Sequence, residues 1–167
     1  MIYVKYLKYV VVHKFWVGIA CFKAGILWRG IKHDFSKFLP SEYLPYARYF
    51  GGHIKKGRDK TGYYKPTETG DPAFEIAWLK HQNRNDHHWH YWVSPSEDGE
   101  KIYEMPDAAV LEMLCDWWGA GKAQKASTTT KEWWDINKDK MRFHPNTLDR
   151  INNLLEIHQM FNEKRSE

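Results

Sequence analysis

A chain of 167 residues fits one domain and is long enough to bury a core of its own. Its 27 aromatic residues (9 Trp, 10 Tyr, 8 Phe) promise large buried areas per side chain, while Val, Ile and Thr are thin and scattered, which argues against a β-rich fold. The net charge of +4 hides an asymmetry: residues 1–65 carry 13 Lys/Arg against 3 Asp/Glu, and residues 66–167 carry 12 against 18. A basic first part suits an anionic ligand such as phosphate, or is simply a solvated surface. Two cysteines, Cys21 and Cys115, build no disulfide framework, so a reducing, cytoplasmic setting is the simpler expectation.

In chain order, Tyr6, Tyr9/Val10, His13, Trp16/Val17, Ala20, Ala24 and Leu27 recur at helical spacing and predict a helix over 3–29 that stops at Gly30. Tyr9 to Trp28 has the length of a membrane span, but His13, Lys14 and Lys23 would each be costly in lipid. No small-residue cleavage site follows it, so it reads as a buried core helix rather than a span or a signal peptide, and no membrane partner is expected.

A short helix then carries His33, Asp34 and Lys37, and Pro40 restarts the chain into a piece from Ser41 to Phe50, with Ser41 as its cap. Residues 51–71, rich in Gly and charge, form a long loop: either a solubilising segment or a lid whose Lys55, Lys56, Arg58, Lys60 and Lys65 suit a phosphorylated substrate. Asp71-Pro72 opens a helix expected to run to about Trp92. A polar turn at 94–104 leads to Pro106, which opens a helix through Asp116 to about Trp118, ended by Gly119 and Gly121. A weaker helix lies around Lys131–Met141. A clear last one follows, capped by Asn146, with Leu148, Ile151, Leu154/Leu155, His158 and Phe161 on its apolar face. The sum is an all-α single domain, a bundle of five to seven helices, with a core over 3–120 and a helical extension over 122–167.

The chemistry concentrates in an ordered set: His13, then His33-Asp34, then His81 and His87-His88, then Asp116. Imidazole and carboxylate together suit a borderline divalent cation such as Mn, Fe, Co, Ni or Zn. Seven residues separate His81 from His88, two turns of one helix, which favours that pair as ligands; a kink would present His87 instead. Asp116 follows Glu112 by one turn, so either can ligate while the other orients a histidine. His13 alone would read as a packed core histidine; the order of the whole set is what argues for a metal. His158, alone on the last helix, stays a packing residue.

This order resembles the HD superfamily of metal-dependent proteins, in which a histidine, a His-Asp doublet, further histidines and a late aspartate follow one another. The run His33-Asp34-Phe35-Ser36-Lys37 is similar to the family's doublet, often followed three residues later by lysine. The stretches 78–92 and 105–118 also look like an uncharacterised family of small bacterial and phage proteins. The resemblance spans residues 3–120 and implies one or two metals in a helical core. His13, His33, Asp34 and Asp116 would hold one ion; His81 and His88 would hold a second, with Asp34 as the bridge.

The activity implied is phosphoester hydrolysis on a nucleotide or another small phosphorylated metabolite. Lys37 and Arg84 would steady the phosphate and Glu42 would serve as general acid or base. The alternatives are a diiron oxygenase of the same fold, and a non-catalytic metal-stabilised protein that binds a partner or single-stranded nucleic acid through its basic half. No nucleic-acid module is recognisable, so that partner is not favoured.

Overall fold

The computed structural model describes residues 1–51, 57–67 and 69–163. Among them the chain forms seven α-helices and one two-stranded sheet: α1 (Ile2–Lys23), α2 (Leu27–Lys32), α3 (Pro40–Phe50), α4 (Pro72–Arg84), β1 (Val93–Ser96), β2 (Gly99–Ile102), α5 (Asp107–Ala123), α6 (Thr130–Asn137) and α7 (Pro145–Ile157). No helix is long and apolar enough to cross a membrane.

The expected helix over 3–29 is two helices. Gly25, at φ +77°, makes the turn between α1 and α2, a conformation that costs a side-chain-bearing residue energy. Gly30, expected as the stop, lies inside α2, where an added Cβ would sit 2.7 Å from the Cβ of Cys21. That contact folds α2 back along α1. Gly119, expected to end a helix, lies mid-way along α5 against Val17 of α1, so its missing side chain sets how closely the two longest helices approach.

Three further boundaries differ from the sequence reading. α4 starts as expected, with Asp71 accepting a hydrogen bond from the Phe74 N–H and Pro72 in the first turn, but it ends at Arg84 rather than near Trp92. The chain then turns through Asn85–His88 into a 3-10 turn at Trp89–Trp92. The expected polar turn at 94–104 is the antiparallel hairpin β1–β2, paired from Val93↔Ile102 to Ser96↔Gly99. The caps also differ: Leu39 precedes α3 with Pro40 at its first position, and His144, not Asn146, caps α7. α6 opens with a capping box between Thr129 and Glu132.

Two apolar cores result. One joins the second half of α1 to α5, α6 and α7 through Val17, Ala20, Met113, Leu114, Trp134, Ile151, Leu155 and Phe161. The other joins the first half of α1 to α3 and α4 and is largely aromatic: Tyr6, Tyr46, Tyr49, Phe50 and Phe74. His13, between Val10 of the second core and Val17 of the first, marks the seam where polar chemistry sits.

A candidate dinuclear metal centre

Neighbouring residues on a regular helix point about 100° apart, so a His-Asp doublet cannot converge on one point there. Here α2 has ended: His33 caps it with extended backbone (φ −47°, ψ 127°), and Asp34 takes the left-handed conformation (φ 55°, ψ 27°). A non-glycine residue held there is strained, and such strain concentrates at functional sites. The break aims both side chains at the same place, and the backbone carbonyl of Asp34 accepts from the Lys37 N–H to start the 3-10 turn Phe35–Phe38.

Around Asp34 the donors fall into two sets. On the first side, His13 Nε2 and His33 Nε2 lie 3.0 and 3.3 Å from Asp116 Oδ1, 3.7 and 3.3 Å from Asp34 Oδ2, and 3.4 Å from each other. On the second, Asp34 Oδ1 lies 3.3 Å from His81 Nε2 and 3.5 Å from His87 Nε2, and His88 brings a donor atom within 4.8 Å of those of Asp34 and His81. The two oxygens of Asp34 therefore face different sets. Donors about 2.1 Å from a common ion would be spaced by about 3.0 Å in an octahedron and about 3.4 Å in a tetrahedron. Most of the observed spacings fall in that range and the longest, between His13 and Asp34, is 3.7 Å, so these buried clusters could hold metal.

The far side of three of these rings is held. His33 Nδ1 lies 2.9 Å from Glu112 Oε1, His87 Nδ1 lies 3.2 Å from the same oxygen, and His81 Nδ1 lies 3.0 Å from Glu42 Oε2. A carboxylate on Nδ1 fixes the tautomer that leaves the Nε2 lone pair free to ligate. The Nε2 atoms of His81, His87 and His88, with Oδ1 of Asp34, are buried and make no hydrogen bond among the described residues, while Oδ2 of Asp34 is ion-paired with Lys37. Unsatisfied buried lone pairs are costly, and cations bound among them would satisfy them.

The glutamates are themselves anchored. Arg29 reaches Glu112 Oε2 at 2.5 Å and also pairs with Asp86. Glu42 is fully buried, accepting from Ser36 Oγ at 2.8 Å and from Arg84 Nη1 at 2.6 Å.

The electrostatics follow from this crowding. Burial opposes ionisation of Asp34, but the charges of His33, Lys37 and His81 outweigh it and hold the carboxyl well below its usual range. Asp116 is held down likewise by His13 and His33 against its burial. Glu112, also opposed by burial, is brought to about 2 by hydrogen bonds from His33 and His87. Burial alone would depress His33, yet Asp34, Asp116 and Glu112 raise it well above 6.5. His88 is pushed well down by burial and by the neighbouring His87 and His81.

Of the residues expected from sequence, His13, His33, Asp34, His81, His88 and Asp116 all meet here. His81 and His88 meet by a different route than their spacing implied, since His88 lies beyond the end of α4. That turn also admits His87, so both histidines of the doublet face the site. Lys37 pairs with Asp34 Oδ2 at 2.5 Å and lines a cavity of about 260 Å³. Glu42 and Arg84, expected to contact substrate, instead face the Nδ1 side of His81 and do not line that cavity. Arg29 and Asp86 were missed because no motif links them to Glu112; only the fold, which packs both α2 and α5 on α1, brings them together.

The cavity opens on His13, His88 and Asp116. Tyr6, Tyr9, Tyr46, Trp78, Trp89, Trp117 and Trp133 wall it, and the described part of the 51–71 loop covers it with Arg58, Thr61, Gly62, Tyr63, Tyr64 and Pro66. That cover is clasped: Asp59 accepts from the Thr61 and Tyr63 N–H groups and pairs with Lys140, Thr61 Oγ donates to Asn137, and Tyr63 stacks on Trp133. Of the cations expected of a lid, Arg58 lines the cavity and Lys60 and Lys65 do not; Lys55 and Lys56 lie outside the described residues.

A family model covering residues 3–157 matches this chain. The chain belongs to DUF5662, a family of unknown function. No curated protein and no solved structure matches it. The span shared with DUF5662 takes in every residue of the cluster and runs on through α6 and α7, well past residue 120 where the HD resemblance stops. The helical extension is thus part of the family's unit, consistent with Trp133 and Met141 lining the cavity.

Proposed function

We propose that this protein is a metal-dependent phosphohydrolase acting on a nucleotide or another small phosphorylated metabolite. The observation that carries the reading is the pair of donor sets sharing Asp34, with buried, unpartnered Nε2 atoms, beside a cavity lined by His13, His88, Asp116, Lys37 and Arg58. The resemblance to the HD superfamily supports the reaction class.

His13, His33, Asp34 and Asp116 would hold one divalent ion, and Asp34, His81 and His88 a second, with His87 beside them. Such ions supply Lewis acidity toward phosphoryl oxygens and a nucleophile from water at neutral pH. Asp34 would be the ligand common to both. Glu42 and Glu112 keep three imidazoles oriented, and Arg84 and Arg29 keep those glutamates in place. Lys37, on the cavity wall beside Asp34, places a positive charge where a phosphoryl oxygen would lie. The aromatic walls offer flat apolar surfaces to the rest of the substrate, which suits a base better than an extended polar chain.

The test is metal content by mass spectrometry on protein purified without chelator, beside a His33→Ala/Asp34→Ala variant, followed by a screen of phosphate esters. One or two equivalents of transition metal, absent from the variant, with phosphate release from a nucleotide, support the reading. Folded protein that takes up no metal on titration would overturn it. Bound iron with an optical signature that responds to oxygen, and no phosphate release, would replace it with oxygenase chemistry. Lys37→Ala should lower kcat/KM on the order of a hundredfold with metal retained, the size seen when one charge-stabilising group is removed.

A further inference from the structure

α1 is apolar on both faces. Its inner face carries Tyr6, Val10, His13, Val17, Ala20 and Cys21 into the two cores. Its outer face carries Val4, Leu7, Val11, Phe15 and Phe22, at spacings that align along one stripe, and all are exposed, Phe15 and Phe22 by more than 60%. Gly18 lies within this stripe over open space. The stripe continues onto the next segment. Lys14 of α1 donates to the carbonyls of Ile31 and His33 and lies 4.9 Å from the ring centre of Phe35, so exposed Ile31 and Phe35 border it, and Trp28 of α2 is 74% exposed. Contiguous exposed apolar surface of this kind marks an interaction site.

The charge around the face selects the partner. Residues 1–33 contain six Lys/Arg and no Asp or Glu. Lys14 and Arg29 are engaged internally, but Lys5, Lys8, Lys23 and Lys32 are exposed, and none is held by a carboxylate among the described residues. Lys8, and beyond it Lys5 and Lys23, flank one side of the stripe. A second copy of the chain would bring like charges together across such a face. An anionic bilayer instead accepts the apolar stripe at the level of its headgroups and meets the lysines with negative charge.

We propose that the outer face of α1, with Trp28 of α2, docks this protein in plane on an anionic lipid surface. The lysines that argue against a span are the ones that favour this arrangement: a helix that lies on the bilayer keeps them at its edge.

The test is co-sedimentation of the full chain with vesicles of phosphatidylcholine alone and of equimolar phosphatidylcholine and phosphatidylglycerol, with light scattering of the free protein. Binding should require phosphatidylglycerol and weaken with salt. Lys5→Gln/Lys8→Gln/Lys23→Gln/Lys32→Gln should weaken it by about 600-fold, each cation near the surface being worth roughly a fivefold change. Phe22→Ser/Trp28→Ser should abolish it, while circular dichroism and metal content stay as in the parent because these side chains face solvent. Failure of the parent protein to sediment with anionic vesicles at low ionic strength would overturn the proposal. So would equal binding by the substituted proteins. A dimer dissolved by Phe22→Ser/Trp28→Ser, without vesicle binding, would give the face to a second copy instead.

Discussion

The two cores differ in kind, and the difference says what each is for. The core of α1, α5, α6 and α7 is mostly aliphatic and sulfur-containing, with Trp134 as its largest buried side chain; its polar atoms are few and satisfied, as where Trp134 Nε1 donates to Asn152 Oδ1. The core of α1, α3 and α4 is built of tyrosines and phenylalanines and borders the cavity. There Tyr46 is buried with a hydroxyl that has no hydrogen-bond partner among the described residues. Burial pushes the Tyr46 hydroxyl well up and so keeps it protonated. Tight aliphatic packing holds α5 against α1 and thereby holds Asp116 and Glu112 against His13 and His33. The aromatic core gives up polar satisfaction to shape a pocket wall.

That contrast can be broken from either side. The largest expected effect is at the seam: His33→Ala/Asp34→Ala should remove metal uptake altogether, read by mass spectrometry, while helicity persists because both cores remain. In the aliphatic core, Leu155→Ala should cost about 2–5 kcal/mol in urea unfolding, with metal stoichiometry of the folded fraction intact. If metal is lost at the same time, the cores are not separable. Behind the seam, Glu112→Gln should weaken metal affinity by about 10–100-fold through loss of orientation of His33 and His87, measured by competition with a chelator.

The pH dependence of the metal-free protein sharpens the same point. Glu112, at about 2 in the fold, contributes stability that is complete above its unfolded value of roughly 4.3 and is lost as pH falls toward 2. Asp34 and Asp116 act in the same direction. His33, raised in the fold, contributes below roughly pH 6.5, and that part is lost as pH rises through its elevated value. Stability without metal should therefore peak at mildly acidic pH, and chelator-treated protein should be more labile in alkali than metal-loaded protein. The smallest effect is in the aromatic core: Tyr46→Phe should change stability by less than about 1 kcal/mol, neutral or favourable, since it removes a hydroxyl with no partner. A larger loss in denaturant titration would show that this core is as tightly specified as the other.

Much of the fold was legible along the chain. Apolar periodicity located α1 and α7, Asp71-Pro72 and Pro106 located the starts of α4 and α5, and the ordered His and Asp residues located the candidate centre, because each signal is carried by particular residue types or by residues a few positions apart. What failed were signals whose meaning depends on a neighbour. Gly30 and Gly119 read as helix stops, since glycine is a common terminator, but each is where one helix meets another. His81 and His88 read as two turns of one helix, which required α4 to pass Asn85; the chain instead turns there, and the turn admits His87. Glu42 and Arg84 read as reactive groups from their nearness to the histidines along the chain, yet they lie behind the His81 ring.

The sequence by itself thus determined which side chains carry the chemistry and that helices present them, since residue type and short-range spacing are local properties. Only the tertiary structure decided which atoms face one another: that Asp34 divides its oxygens between two donor sets, that Glu42 and Glu112 sit on the Nδ1 side of the imidazoles, and that α1 keeps an apolar face outside. Those outcomes depend on contacts between residues far apart along the chain, such as Arg29 with Glu112, 83 positions on, and His13 with Asp116, and no local pattern encodes a pairing that packing alone brings about.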